Sequence, residues 1–373
     1  MIKSLKVEGL NNRTDADLEF NEDLNIITGK NGSGKTTLLK LLWYLISGNL
    51  ERAIREILFR SVSIKTDSFF LSITPTNSDN SRLECTFQNG KKTVESFEMP
   101  LRDYFEWIHN LNVQIARTMQ GSLFFPTFRR IEGGFAEVDS TSFADLEWYH
   151  SDRPRRTNTE RATDELQEAM SRLSRGISFY DHKFIASIST HDIVELLREE
   201  YADISGKTNS LHVQFSNEIT QKITETKGRR DDANPVLNDI KKRVEQVTQE
   251  REGLLRPFSV LAELIHDIFQ YKGIRVNPVI TLGETTEAIA SDKLSAGEKQ
   301  MLSFLCYNTF SENAAIFIDE PELSLHVDWQ RLLLPTLLEQ GTGNQFFIAT
   351  HSPFIYAKYP DKEILLGEDR GDN

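Results

Sequence analysis

Eight residues near the start of the chain, Gly29-Lys30-Asn31-Gly32-Ser33-Gly34-Lys35-Thr36, fit the pattern G-x-x-x-x-G-K-[ST]. Glycines there let backbone N–H groups turn toward an anion, and a helix beginning at this point adds the positive end of its dipole. Lys35 is then placed to reach the β- and γ-phosphates of a nucleotide, and the Thr36 hydroxyl to sit on Mg²⁺. The expected phosphate contacts are Gly29, Asn31, Gly32, Ser33, Gly34, Lys35, Thr36 and Thr37. Far along the chain, residues 314–320 (AAIFIDE) are an apolar run ending in two carboxylates. Asp319 is expected to hold Mg²⁺ through its water shell and Glu320 to act as general base on an attacking water. Two acids at a strand end also describe a solvated turn; the phosphate loop is what favours the chemical reading.

These groups need elements to position them. Residues 1–10 alternate apolar and polar and read as a strand; LNIIT at 24–28 is a second strand running into Gly29. TTLLKLLWYLIS carries leucines on most faces, as a buried helix does. Residues 66–98 read as antiparallel strands with a turn at Asn89-Gly90, and GSLFFPTFRRIEGGF at 121–135 as a strand ending at Pro126 before a basic turn. From 136 to 275 charge is dense and spacing helical. Leu237, Ile240, Val244 and Val247 form an apolar seam, with Phe215, Ile219 and Ile223 on a partner helix and KGRRDDANP (227–235) at the tip. Pro154, Gly206 and Pro257 predict a short arm. After 276 the α/β pattern returns: NPVITL, AAIFIDE and NQFFIAT as strands, LSAGEKQMLSFLCYNTF and WQRLLLPTLLEQ as helices. The expected organisation is a head with a mixed sheet and flanking helices, its halves at 1–135 and 276–373 separated by a helical insertion at 136–275.

With 43 Lys+Arg against 56 Asp+Glu, the net charge of −13 argues against a sequence-blind coat for duplex DNA. Two cysteines, Cys85 and Cys306, are too few for a disulfide framework or a cysteine-based metal site. The N-terminus lacks a signal-peptide core and no run of about 20 apolar residues exists, so a cytoplasmic chain with no membrane partner is expected.

Two further segments have bland readings as well as chemical ones. Ser295 and Gly297 in LSAGEKQ open a helix and are good N-cap residues. His351 in FIATHSP follows an apolar strand, where a histidine is usually a structural hydrogen-bonder. Together with the phosphate loop and the acid pair, however, LSAGEKQ resembles the ABC signature motif and His351 the ABC switch histidine. The resemblance implies an ABC-type P-loop NTPase head of α/β class with ATP as substrate and Mg²⁺ as cofactor. It implies that Ser295 and Gly297 contact the γ-phosphate held by another copy, hence a head-to-tail homodimer, and that His351 senses that phosphate.

DEPELSLH at 319–326 followed by ATHSP is similar to the RecF/SMC-related AAA ATPases of the OLD kind, which include anti-phage ATPases such as the PtuA component of Septu and retron systems. FPTFRRIE at 125–132 resembles a segment of the same ATPases. Departures are present. Gln114 and Gln120 precede the strand end where a Q-loop glutamine belongs, and Val327 stands where many relatives have proline. For Arg129 and Arg130 two readings stand level, a phosphate- or lid-facing pair and a plain surface turn. OLD nucleases carry a TOPRIM domain after the ATPase, whereas about 20 residues follow ATHSP here. The expectation is therefore an ATPase controlling a separate effector, a nuclease or toxin. The alternative is a DNA-maintenance ATPase, for which Arg153, Arg155, Arg156, Lys227, Arg229 and Arg230 are the candidate nucleic-acid contacts.

Overall fold

The computed structural model describes residues 1–75, 82–89, 92–100, 105–127, 129–131, 158–226, 233–269 and 294–367. The expected strand NPVITL, the helix-arm tip at 227–232 and all six basic residues named above lie outside them.

Among the described residues, strands of both orientations are sorted into two sheets of six and a parallel pair, Arg130–Ile131 with Ser187–Ile188. One sheet is wholly parallel, in the order His182–Phe184, Ser122–Phe125, Ala315–Asp319, Gln345–Ala349, Leu24–Thr28, Glu363–Leu365. Its four central strands are buried along their whole lengths, which is why they read as unbroken apolar runs. The other sheet is antiparallel, in the order Thr14–Glu19, Ile2–Leu10, Ser61–Thr66, Phe69–Pro75, Arg82–Asn89, Lys92–Pro100. Alternating burial in Ser61–Thr66 and Phe69–Pro75 turns one side-chain face to the core. Asn89 pairs with Lys92, as the hairpin reading requires, although Gly90 itself is not described.

The helix Lys35–Ile46 is buried from Leu41 through Ile46 and shares one apolar cluster with inward residues of both sheets. Trp43 packs on Phe124 and Phe184, and Phe317 stacks on Phe347 at 4.8 Å. Gln345 stitches the sheets together: its side chain accepts the Ile2 N–H at 2.8 Å and donates to the carbonyls of Ile2 (2.8 Å) and Asn21 (2.7 Å).

Two compact units divide the chain: Met1–Ile188 with Ser295–Met301 and Ser311–Asn373, and Ser189–Leu294 with Leu302–Phe310. The first boundary falls at 188/189 and not at the expected 135/136, because His182–Phe184 extends the parallel sheet beside Ser122–Phe125. Charge density marked where the helices become solvated, which is not where the sheet ends. In the second unit, helices Thr190–Thr226 and Ala233–Phe269 contact each other and exchange an ion pair, Arg243 Nε to Glu218 Oε2 at 2.8 Å. Each has 37 residues, about 55 Å at 1.5 Å per residue, so the arm is longer than expected. Gly206 and Pro257 lie within these helices without ending them. A proline removes one N–H donor from a helix, and packing can hold the turn across the gap. Here the adjacent Phe258 is buried against Tyr201 and Phe310. Among the described residues no helix is long and apolar enough to cross a membrane.

Candidate active site at the end of the parallel sheet

Strands Leu24–Thr28, Ala315–Asp319 and Gln345–Ala349 are adjacent and parallel, so the loops leaving their carboxyl ends converge. Ligands of parallel sheets bind at that end. Three of the four predicted segments arrive there.

The phosphate loop turns on glycines. Gly29 has φ 144°, and a Cβ on it would run into the Leu366 carbonyl; Gly34, at φ 99°, caps the helix Lys35–Ile46. Asn31 and Gly32 are exposed at the loop tip, while Ser33 Oγ is buried with no hydrogen-bond partner. Lys35 Nζ folds back to donate to the carbonyls of Gly29 (2.8 Å) and Lys30 (3.0 Å). Burial pushes its ammonium below the ordinary lysine value, against the pull of Glu320, Asp319 and Glu322. Thr37 Oγ1 accepts from Asn11 Nδ2 at 3.1 Å, a structural bond on the solvent side.

Asp319 is fully buried, and both of its carboxylate oxygens accept hydroxyls. Thr36 Oγ1 donates to Oδ1 at 3.1 Å and Thr127 Oγ1 donates to Oδ2. Glu320 is held at φ 48°, a left-handed conformation unusual for a non-glycine residue, with its N–H on the Ala349 carbonyl at 2.8 Å. Burial raises its carboxyl above the ordinary value, and the neighbouring charges of Asp319 and Glu322 add to the rise. His351 is half-buried beside this turn, its N–H on Glu322 Oε1 at 2.7 Å, while Thr350 Oγ1 donates to Glu322 Oε2 at 2.9 Å.

Ser295 and Gly297 are not hydrogen-bonded to the phosphate loop of their own chain. The helix Ala296–Thr309 opens with a capping box: Ser295 N–H donates to Glu298 Oε2 at 2.7 Å and Glu298 N–H to Ser295 Oγ at 3.4 Å. The N-cap reading is thus realised, and Ser295 remains exposed. Gly297 backs onto the turn after the acid pair, where a Cβ would meet the Ser324 carbonyl, and Gln300 Nε2 donates to Pro321 O at 2.8 Å.

Sequence reasoning missed two residues here. Glu322 was read only as part of a motif, and Thr127 was not singled out. Arg129 corrects its surface-turn reading: it is buried, donating to the carbonyls of Pro126 (2.8 Å), Asp319 (2.9 Å) and Glu320 (3.2 Å). Burial lowers its guanidinium to about 10, with the three acids pulling it back up. The one available signal was position, since the segment follows an apolar strand that a parallel sheet would place beside AAIFID.

Residues 1–356 match the AAA ATPase domain family. The chain is 23% identical to the DNA replication and repair protein RecF of Shewanella piezotolerans over 364 residues, 94% of this chain and 92% of that protein. It is 26% identical over 210 residues to the Septu protein PtuA of Bacillus thuringiensis, covering 54% of this chain but only 43% of PtuA. Over 75 residues it is 35% identical to the Endonuclease GajA of Bacillus cereus, 18% of this chain and 13% of that one. With the matched span running from the first strand past His351, the chain belongs to the AAA ATPase domain family.

Proposed function

We propose that this chain binds and hydrolyses ATP at a site completed by a second copy, and that turnover controls a separate effector. The observation carrying the catalytic part is the bond from Thr36 to Asp319, which brings the phosphate loop and the acid pair to one point. Ser33 Oγ, buried and unbonded in the loop, is an available donor for a phosphate oxygen. A hydroxyl and a carboxylate 3.1 Å apart are hard oxygen donors of the kind Mg²⁺ takes alongside phosphate and water. Bound there, the ion supplies charge neutralisation on the β- and γ-phosphates. Lys35 leaves the Gly29 and Lys30 carbonyls for those phosphates. Glu320, its proton affinity raised by burial, takes a proton as water oxygen bonds to the γ-phosphorus and the bridging oxygen leaves with ADP. His351 contacts the γ-phosphate from the neighbouring strand end. Exposed Ser295, at a helix N-terminus, and Gly297 meet the same phosphate from the second copy.

Lys35→Ala should abolish ATP turnover. Glu320→Gln should retain ATP and accumulate as a dimer; wild-type turnover in that variant removes the general-base assignment.

The likeness to the Septu protein PtuA, over 54% of this chain, supports an anti-phage role for the effector pathway. A deletion strain unchanged against a broad phage panel, with no protein co-purifying, would remove that role. The span of the RecF match, nearly end to end in both proteins, favours a second reading, DNA maintenance by ATP-dependent DNA binding. DNA affinity that ATP raises and salt lowers supports the second reading; no binding at low salt counts against it.

A further inference from the structure

The strand Ser122–Phe125 pairs with Ala315–Asp319 so that Phe125 lies opposite Ile318. The residues after it therefore run alongside the Asp319–Glu320 step. Thr127 donates its hydroxyl to Asp319 Oδ2, the oxygen that Thr36 leaves free. Two positions on, the buried Arg129 spreads its guanidinium over backbone: Nη1 reaches Pro126 O at 2.8 Å and Asp319 O at 2.9 Å, and Nη2 reaches Glu320 O at 3.2 Å. Burying a guanidinium is costly unless its donors find acceptors, and here the carbonyls of Pro126, Asp319 and Glu320 take its two terminal nitrogens. That turn is the one whose Glu320 stands at φ 48°. A glutamate holds such a conformation only when its surroundings fix it. Glu320 is fixed on both sides, by its own N–H on Ala349 O and by its carbonyl on Arg129.

We propose that Thr127 and Arg129 form a clamp that positions the acid pair: Thr127 aims the Asp319 carboxylate at the metal site, and Arg129 holds the Glu320 peptide in its left-handed turn. Both are positioning residues, acting through the acids. The Arg129 half rests on the reading of Glu320 as general base. A guanidinium is suited to the task because its planar fork reaches several carbonyls at once, whereas a lysine ammonium is a point donor on a flexible stem.

Four purified variants decide the matter: Arg129→Lys, Thr127→Val, Thr127→Ser and Glu320→Gln. Folding is checked by thermal melting, nucleotide affinity with a fluorescent ATP analogue, Mg²⁺ dependence by titrating that binding, and kcat and KM by phosphate release. Arg129→Lys should bind nucleotide within about twofold of wild type while kcat falls about 30-fold, because sub-ångström misplacement of a catalytic group costs rate and not affinity. Thr127→Val should raise the Mg²⁺ needed for half-maximal nucleotide binding about tenfold, with Thr127→Ser returning it to near wild type, as expected for a group that orients a metal ligand. A fold staple alone would lower the melting temperature and leave both quantities unchanged. Wild-type kcat in Arg129→Lys with inactive Glu320→Gln overturns the Arg129 half. Should Arg129→Lys fail to fold, unchanged Mg²⁺ dependence and kcat in Thr127→Val overturn the clamp. Normal turnover in Glu320→Gln overturns the general-base reading and the Arg129 half with it, an outcome distinct from the other two.

Discussion

The backbone N–H of His351 donates to the Glu322 carboxylate at 2.7 Å, and the other oxygen of that carboxylate takes the Thr350 hydroxyl at 2.9 Å. One side chain thus ties the turn after Ala315–Asp319 to the turn after Gln345–Ala349. Glu322→Gln replaces an acceptor oxygen with an NH₂ that faces another donor. Losing a bond of this kind costs about 1–3 kcal/mol at the affected turn. Turnover should fall about tenfold while nucleotide affinity stays within about threefold, read from parallel phosphate-release and nucleotide-binding titrations. Wild-type turnover would disconnect Glu322 from the switch segment.

The same residue should be visible in the pH profile. Glu320 holds its proton more tightly than an ordinary carboxyl, first through burial, then through the charges of Asp319 and Glu322. If Glu320 is the general base proposed above, it must be ionised, so kcat should drop on an acid limb lying above the ordinary carboxylate value. Removing one like charge in Glu322→Gln should move that limb to lower pH. A limb that does not respond to Glu322 would belong to another group.

A polar chain inside the core predicts acid sensitivity of the fold. Trp43 Nε1 donates to Ser122 Oγ at 2.9 Å, Ser122 Oγ lies 2.7 Å from His182 Nδ1, and His182 Nε2 lies 3.2 Å from Ala116 O. A carbonyl only accepts, so the imidazole proton sits on Nε2 and Nδ1 accepts from the serine. Burial drives His182 down to about 4, below its ordinary 6.5. Between those values the unfolded chain takes up a proton that the folded chain refuses. Stability is therefore full above 6.5 and is lost as the pH falls toward 4, by at most about 3 kcal/mol. Urea midpoints at neutral pH and near pH 5 should differ accordingly, and His182→Gln should flatten the difference.

Gln345→Leu keeps the volume and removes the stitch between the sheets. Three bonds go, two of them buried, leaving the N–H and C=O of Ile2 without that partner. A loss of about 2–4 kcal/mol is expected in urea unfolding, with the denaturant slope unchanged. A loss under about 0.5 kcal/mol would mean the two sheets are joined by apolar packing alone.

What was legible in the sequence is what works locally. The phosphate loop, the acid pair and the buried strands declare themselves because a glycine pattern, an apolar run and a terminal carboxylate are all read within a few residues. The role of Arg129 was illegible because two of its three acceptors are backbone carbonyls 190 and 191 positions away, and carbonyls carry no residue type. Glu322 was in plain view inside a motif, yet its partners at 350 and 351 come together with it only once two strands pair. Gly206 and Pro257 misled in the opposite direction. Their local preferences say break; beside Pro257 the packing of Phe258 on Tyr201 and Phe310 overrules it, while Gly206 sits on an open helix face that tolerates it.

Ile2 and Gln345 meet across 343 positions, and among the described strands the phosphate-loop strand Leu24–Thr28 pairs with Gln345–Ala349 and Glu363–Leu365. A ribosome therefore releases the phosphate loop hundreds of residues before the strands that pair beside it exist. Neither the nucleotide pocket nor the seam between the sheets can close until the last strands emerge, so nascent chains should remain nucleotide-blind and exposed to chaperones through most of their synthesis.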